Sequence, residues 1–234
     1  MAAKNEIDTI RKYYADNVTV MKESVALLWK IQLKEAERNL AYCDSLLPTR
    51  QDEAAALAKA FILEKNEYSE VGAYILKQQT IERNVERSYI RCSVSEKGEI
   101  SLASVYFGSL PINHTGIRIS AGANLSVSAG PVPYDGGLNY RFNDMGNTSE
   151  IVNYTGASMD AIRFVCNNMK EKLKVEYTGG KPYTIYIDEP SKQAVKATWE
   201  LSIVLSDVSA LIKERDIALS RKAYLEEKLG RPAI

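Results

Sequence analysis

The stretch Ser191–Leu229, SKQAVKATWELSIVLSDVSALIKERDIALSRKAYLEEKL, decides the architecture. From Lys192 onward it holds no Gly or Pro before Gly230, and Leu201, Val204, Leu205, Val208, Leu211, Ile212, Leu219, Leu225 and Leu229 recur at helical spacing. That pattern predicts one helix with a single apolar stripe. Asp188 or Ser191 suits the N-cap, Glu189 and Pro190 suit the first turn, and Gly230 followed by Pro232 supplies the stop. At about 1.5 Å per residue the run makes a rod of roughly 57 Å. A rod of that length needs neighbours of similar length.

The N-terminal part offers them. Asn5–Leu47 lacks Gly and Pro and carries Ile7, Ile10, Tyr14, Val18, Met21, Val25 and Leu28 on one stripe, which continues through Trp29, Leu33, Ala36, Leu40, Cys43 and Leu47. The change of phase at Leu28 and Trp29 has the form of a stutter. Pro48 is expected to end this helix, because the residue before a proline is pushed out of the α region. A second rod is expected over residues 51–85, where Ala54, Leu57, Phe61, Tyr68, Val71 and Ile75 keep the spacing around a single Gly72. The expected fold class is α+β. An N-terminal helical hairpin (1–85) and a C-terminal helix (189–234) form a long antiparallel three-helix coiled coil, with a small mixed α/β head domain (86–188) inserted between helices 2 and 3.

Within the head, Tyr89–Val94 and Ile100–Phe107 alternate about a turn at Ser95–Gly98, which predicts a hairpin. Ile117–Ala121 and Leu125–Val127 are shorter strand candidates, Ala157–Lys172 reads as a helix, and Leu173–Tyr177 and Tyr183–Ile187 pair about Gly179-Gly180. Residues 108–156 hold eight of the thirteen glycines and little further periodicity. Long irregular stretches in compact domains carry function or cover a core. Tyr134, Tyr140, Phe142 and Tyr154 in this segment are the candidate partner-binding residues, since aromatics on glycine-flanked loops can anchor a protein or stack on a sugar. The competing reading makes them a cover over the sheet.

Chemistry is sparse. Cys43, Cys92 and Cys166 lie far apart on apolar faces, as buried thiols do. His114 is the only histidine, so no histidine-rich metal site can be built and no catalytic residue, metal ligand or cofactor is assigned. Tyr177-Thr178-Gly179-Gly180-Lys181 lacks the spacing of a phosphate loop and reads as a hairpin turn. Lys plus Arg and Asp plus Glu number 30 each and spread evenly over the three parts, which argues against a nucleic-acid or anionic-membrane surface. No apolar run approaches the ~18 residues of a transmembrane helix. Asn-x-Ser/Thr occurs at Asn17, Asn113, Asn124, Asn147 and Asn153 against about 1.6 expected from composition, and turn chemistry accounts for it.

The expectation is a non-enzymatic structural or protein-interaction protein. Its coiled coil spaces or joins copies of the chain, and its head docks a protein partner. The alternative is a small-molecule or glycan-binding head, hydrolytic if the glycine-rich segment forms a concave pocket holding His114 with an acid and a hydroxyl. The polar opening Met1–Thr9 shows no signal peptide, so the cytoplasm is the default compartment and an exported chain with its signal removed is the other.

Overall fold

The computed structural model describes residues 2–65, 71–144, 146–156 and 158–230. The fold is α+β. Its helices are α1 (Ala2–Tyr13), α2 (Val18–Ala58), α3 (Met159–Asn167) and α4 (Glu189–Gly230). Its strands are β1 (Phe61–Glu64), β2 (Ala73–Leu76), β3 (Tyr89–Ser95), β4 (Ile100–Gly108), β5 (Gly116–Ala121), β6 (Leu125–Ala129), β7 (Asn139–Asp144), β8 (Asn147–Tyr154), β9 (Leu173–Thr178) and β10 (Tyr183–Tyr186). The chain divides into two compact units, one formed by Met1–Gln51 with Val208–Ile234 and the other by Asp52–Asp207.

The C-terminal helix forms as its pattern predicts, and Asp188 is its cap: the Ser191 N–H donates to Asp188 Oδ1 at 2.9 Å. The N-terminal run departs from expectation in two places. It breaks after Tyr13, within the run expected to be continuous, and Asn17 restarts the helix by accepting the Val20 N–H on its side chain at 3.1 Å. Pro48 does not end α2 but lies inside it. The next ten residues include Gln51, Glu53, Leu57 and four alanines, all strong helix formers, and they carry the helix past the lost hydrogen bond.

The helix expected over residues 51–85 is not formed, so the N-terminal helical hairpin is absent. α2 stops at Ala58, and β1 and β2 follow. Phe61-Ile62-Leu63 and Ala73–Leu76 are short continuous apolar runs, which suit strands as well as buried helix turns. Gly72 decides between them. Its N–H donates to Glu96 Oε2 at 2.8 Å, and a Cβ there would lie 2.6 Å from Leu63 Cδ1. Tyr68, counted on the expected helical stripe, falls outside the described residues.

In the unit formed by Met1–Gln51 and Val208–Ile234, Arg215 Nε donates to Asp44 Oδ1 at 2.6 Å. Ile7, Ser24, Ala36 and Cys43 are buried, as are Ala218 and Leu225 of α4, whereas Leu27, Tyr42, Ile217 and Tyr224 remain exposed. A groove of about 750 Å³ runs between Val18, Met21, Val25 and Trp29 of α2 and Leu229 of α4.

The Asp52–Asp207 unit contains two antiparallel sheets, one of six strands ordered β1-β2-β3-β4-β8-β7 and one of four ordered β10-β9-β5-β6. Their facing residues share one core with α3. Ile90, Cys92, Leu102 and Val152 come from the first sheet, Ile117, Ile119, Leu173 and Val175 from the second, and Ile162 and Val165 from the helix. The hairpins β3–β4 and β9–β10 stand where they are expected, and the strand candidates Ile117–Ala121 and Leu125–Val127 form the hairpin β5–β6. The hairpin β7–β8 occupies part of the stretch that shows no alternation in the sequence.

Candidate functional site

Two places in the Asp52–Asp207 unit combine polar and aromatic groups, one on each face of the six-stranded sheet. On the face turned away from the core, antiparallel register aligns side chains in rows across the strands. Tyr89 pairs with Val105, Val105 with Ile151, and Ile151 with Tyr140; beside this row Phe107 and Phe142 both pair with Ser149. These two rows floor a pocket of about 300 Å³, walled by Ile81, Asn84, Val85, Glu86 and Arg87. The wall comes from the short 3₁₀ turn Ile81–Arg83 and the residues after it, where Glu86 adopts a left-handed φ of 59°. Arg87 is tethered to Asp188 at 2.8 Å and lies over the Tyr89 ring, and Arg91 stands at the floor's edge. An apolar floor with a few polar groups at its margin is the usual make-up of a binding pocket.

On the core-facing side, four buried polar side chains form a chain of hydrogen bonds. Ser104 Oγ lies 2.8 Å from Tyr154 Oη and 2.9 Å from His114 Nε2, and His114 Nδ1 lies 2.8 Å from Glu150 Oε2. Glu150 also accepts the backbone N–H groups of Asn113 at 2.8 Å and His114 at 3.1 Å. With the carboxylate beside Nδ1, that nitrogen carries the proton; where Nε2 is the ring's acceptor, donation runs from Tyr154 to Ser104 to His114 to Glu150. Burial alone would push the Glu150 carboxyl up. Its bonds from the His114 ring and the two backbone N–H groups outweigh burial and hold it below the usual carboxylate range. Burial raises the Tyr154 phenol well above its ordinary value, which keeps it a neutral donor to Ser104.

Serine, imidazole and carboxylate in this order are the parts of a nucleophilic triad, and the distances match one. Access does not. Ser104 is 0% exposed, sits mid-strand in β4 and points into the core. A cavity of about 40 Å³ beside the network, between Tyr134, Asn139, Arg141 and the His114–Glu150 pair, holds little more than a water molecule and is not lined by Ser104. In this arrangement the Ser104 hydroxyl is shut off from solvent, and every member has a hydrogen-bond partner within the fold. Such a network specifies a unique core.

The candidate aromatic residues therefore separate. Tyr140 and Phe142 are brought together in the outer pocket. Tyr134 is 59% exposed beneath the Arg141 guanidinium, which lies 5.1 Å from its ring centre. Tyr154 is a correction: it is 1% exposed, on the core face, with its hydroxyl spent on Ser104. Period two explains the split, since Tyr154 is an even step from Glu150 on β8 and faces inward with it, whereas Ile151 faces outward. Sequence reading missed Tyr89, Phe107, Val105 and Ile151, which floor the pocket with them; the outward-facing positions of the β3–β4 alternation were the available signal. Cys43 and Cys92 are buried and Cys166 is half-buried, all as free thiols. Among the described residues no cluster of His, Cys, Asp and Glu could hold a metal ion, and no helix is long and apolar enough to cross a membrane.

No protein-family model matches the chain, and no curated protein or solved structure does either. The geometry thus stands alone. It gives a first expectation: Tyr134→Ala and Phe142→Ala each change stability by about 1 kcal/mol or less, because both rings are largely in solvent. Tyr154→Ala costs about 3–5 kcal/mol, as truncating a buried aromatic does. Urea denaturation of the three variants checks the division, and equal losses would refute it.

Proposed function

We propose that the chain is a non-enzymatic interaction protein whose β-rich unit receives a protein partner in the pocket on the outer face of the six-stranded sheet. The observation that carries this reading is the pocket of about 300 Å³ floored by Tyr89, Val105, Ile151, Tyr140, Phe107 and Phe142, in which Phe142 is exposed and Val105, Phe107 and Tyr140 are half-buried over the buried Tyr89 and Ile151. Monomeric proteins rarely leave contiguous aromatic surface open without a use for it, and aromatic anchors dominate interfaces. The long helices α2 and α4 serve as the spacing or oligomerising element, paired as an antiparallel coiled coil. The Asp44–Arg215 bond and the groove joining the start of α2 to the end of α4 support that pairing, and the exposed Leu27, Ile217 and Tyr224 supply apolar surface for further copies.

Phe142→Asp tests the docking role, because Phe142 is 50% exposed on an edge strand and a charge there leaves the core untouched. The variant is expected to melt close to the wild type and to lose, by at least about tenfold, the partner that the wild type retains by crosslinking from its native source. Retention of the same partner at the same strength removes the pocket from the interface. A small-molecule ligand is the second reading, favoured by the pocket's volume, which lies at the low end of the range for such sites. A ligand that raises the wild-type melting temperature and not that of Phe142→Asp would favour it.

A further inference from the structure

The pocket is continuous with an open sheet edge. β7 is the last strand of its sheet, bonded on one side to β8 only. In an antiparallel pair each residue turns both of its backbone groups the same way, and successive residues alternate. Leu138 O accepts the Asn153 N–H, so even-numbered residues on this strand face β8, whereas Asn139 faces the other way: its O accepts the N–H groups of Asp135 and Gly136, and its N–H donates to Asp135 Oδ1. By that alternation the N–H and C=O of Arg141 and Asn143 point off the free edge. A turn covers the edge at Asn139, and beyond it no described strand pairs with the ladder groups of Arg141 and Asn143.

The side chains at this edge define what fits. Tyr140 and Phe142 lie on the pocket side, and Arg141, between them, lies on the opposite face. The Arg141 guanidinium donates to Asn113 Oδ1 at 2.7 Å and lies over the Tyr134 ring; its cross-strand neighbour Glu150 is buried and its carboxylate accepts from His114 Nδ1 and the N–H groups of Asn113 and His114, so the guanidinium is the charged group at the exposed edge. An added antiparallel strand whose middle residue lies opposite Arg141 makes both of its ladder bonds there. That middle side chain falls beside the guanidinium, and its two neighbours fall beside Tyr140 and Phe142.

We propose that β7 is the receiving edge for an extended segment of a protein partner, in which one acidic residue stands between two apolar or aromatic residues. The segment extends the sheet by one strand, its two apolar side chains lengthen the outer rows into the pocket, and its carboxylate pairs with Arg141. This deepens the docking reading above and rests on it.

The test uses the full chain and a short capped peptide with Phe–Glu–Phe at its centre and Ser/Thr flanks, titrated by heteronuclear NMR or calorimetry. Saturable binding is expected, weakened about tenfold or more when the central Glu is replaced by Lys and when its amide is N-methylated, which removes the donor facing Arg141. Arg141→Glu reverses the preference between the Glu and Lys peptides. Asn143→Pro abolishes binding while the protein stays folded, since proline is tolerated on an edge strand with its nitrogen turned to solvent. Equal affinity for the Glu, Lys and N-methylated peptides, or no binding of any, overturns the proposal. If the native partner is lost by Phe142→Asp yet kept by Asn143→Pro, the pocket reading stands and strand addition fails; if both variants keep it, both fall. A free protein that is dimeric and is made monomeric by Asn143→Pro would put a second copy on the edge, and that also overturns the proposal.

Discussion

Glu150→Ala is expected to lower the unfolding free energy by about 3–5 kcal/mol, among the largest effects a single substitution can have here. The carboxylate accepts three hydrogen bonds, from His114 Nδ1 and from the N–H groups of Asn113 and His114, and it is 3% exposed. Removing it leaves the two His114 donors buried without an acceptor, at a cost of about 1–3 kcal/mol each before relaxation, and the part-buried Asn113 N–H without one as well. Glu150→Gln loses less, since one amide oxygen still accepts. The comparison with Gln has a pH dependence whose sign is set by the depressed carboxyl. A group whose folded pKa lies below its unfolded value of about 4.3 gives its full contribution above that value and loses it as pH falls through the folded pKa. The stability gap between wild type and Glu150→Gln should therefore be constant near neutrality and close in acid. Urea midpoints at several pH values measure it, and a Glu150→Ala loss below about 1 kcal/mol would mean that water reaches the three donors.

Gly180→Ala is the second large effect, expected to cost about 3 kcal/mol. A Cβ on Gly180 would meet the Asn113 carbonyl oxygen at 2.6 Å and the Ile112 carbonyl oxygen closer still, and both are backbone atoms that cannot turn aside. The β9–β10 turn is held against this segment, with Lys181 N–H donating to Ile112 O at 2.8 Å. The same segment carries His114, so displacing it disturbs the buried network as well. Gly137→Ala is the control, because a Cβ there meets no atom nearer than 3.8 Å and neither Gly137 nor Gly180 has a positive φ. Equal losses for the two would assign the cost to the loss of glycine itself rather than to the close approach.

These sites show what the sequence disclosed and what it hid. The hairpins β3–β4, β5–β6 and β9–β10 are visible because their inward positions are apolar, Ile90, Cys92 and Val94 in one and Val175 and Tyr177 in another. The hairpin β7–β8 is not, because the inward side of β8 carries Thr148 and Glu150 and the inward side of β7 carries Asn139 and Arg141. A buried polar network removes the hydrophobic alternation that announces a strand. Half of the candidate site was legible for the same reason: Tyr140 and Phe142 stand out as aromatics, whereas nothing local distinguishes outward-facing Tyr140 from inward-facing Tyr154. The end of α2 was hidden differently, since Ala54, Leu57 and Phe61 keep helical spacing past the true boundary, and the pairing of β1 with β2, where Gly72 lies close to Leu63 and Glu96, is a long-range contact that local spacing does not announce.

The order of donation from Tyr154 through Ser104 and His114 to Glu150 also bears on how this sequence can diverge. Each hydroxyl or ring has one role fixed by its neighbour, so a change at one position alters the worth of the next. Tyr154→Phe takes the donor from Ser104, but in a Ser104→Ala background there is no acceptor left for that phenol, and the same substitution then relieves an unpaired hydroxyl. The second change is therefore less harmful after the first, but His114 Nε2 stays without its partner until the ring and Glu150 are replaced as well. Such epistasis predicts that homologous chains keep all four residues or replace them as a set with apolar side chains of matching volume, and that sequences holding only part of the set are rare.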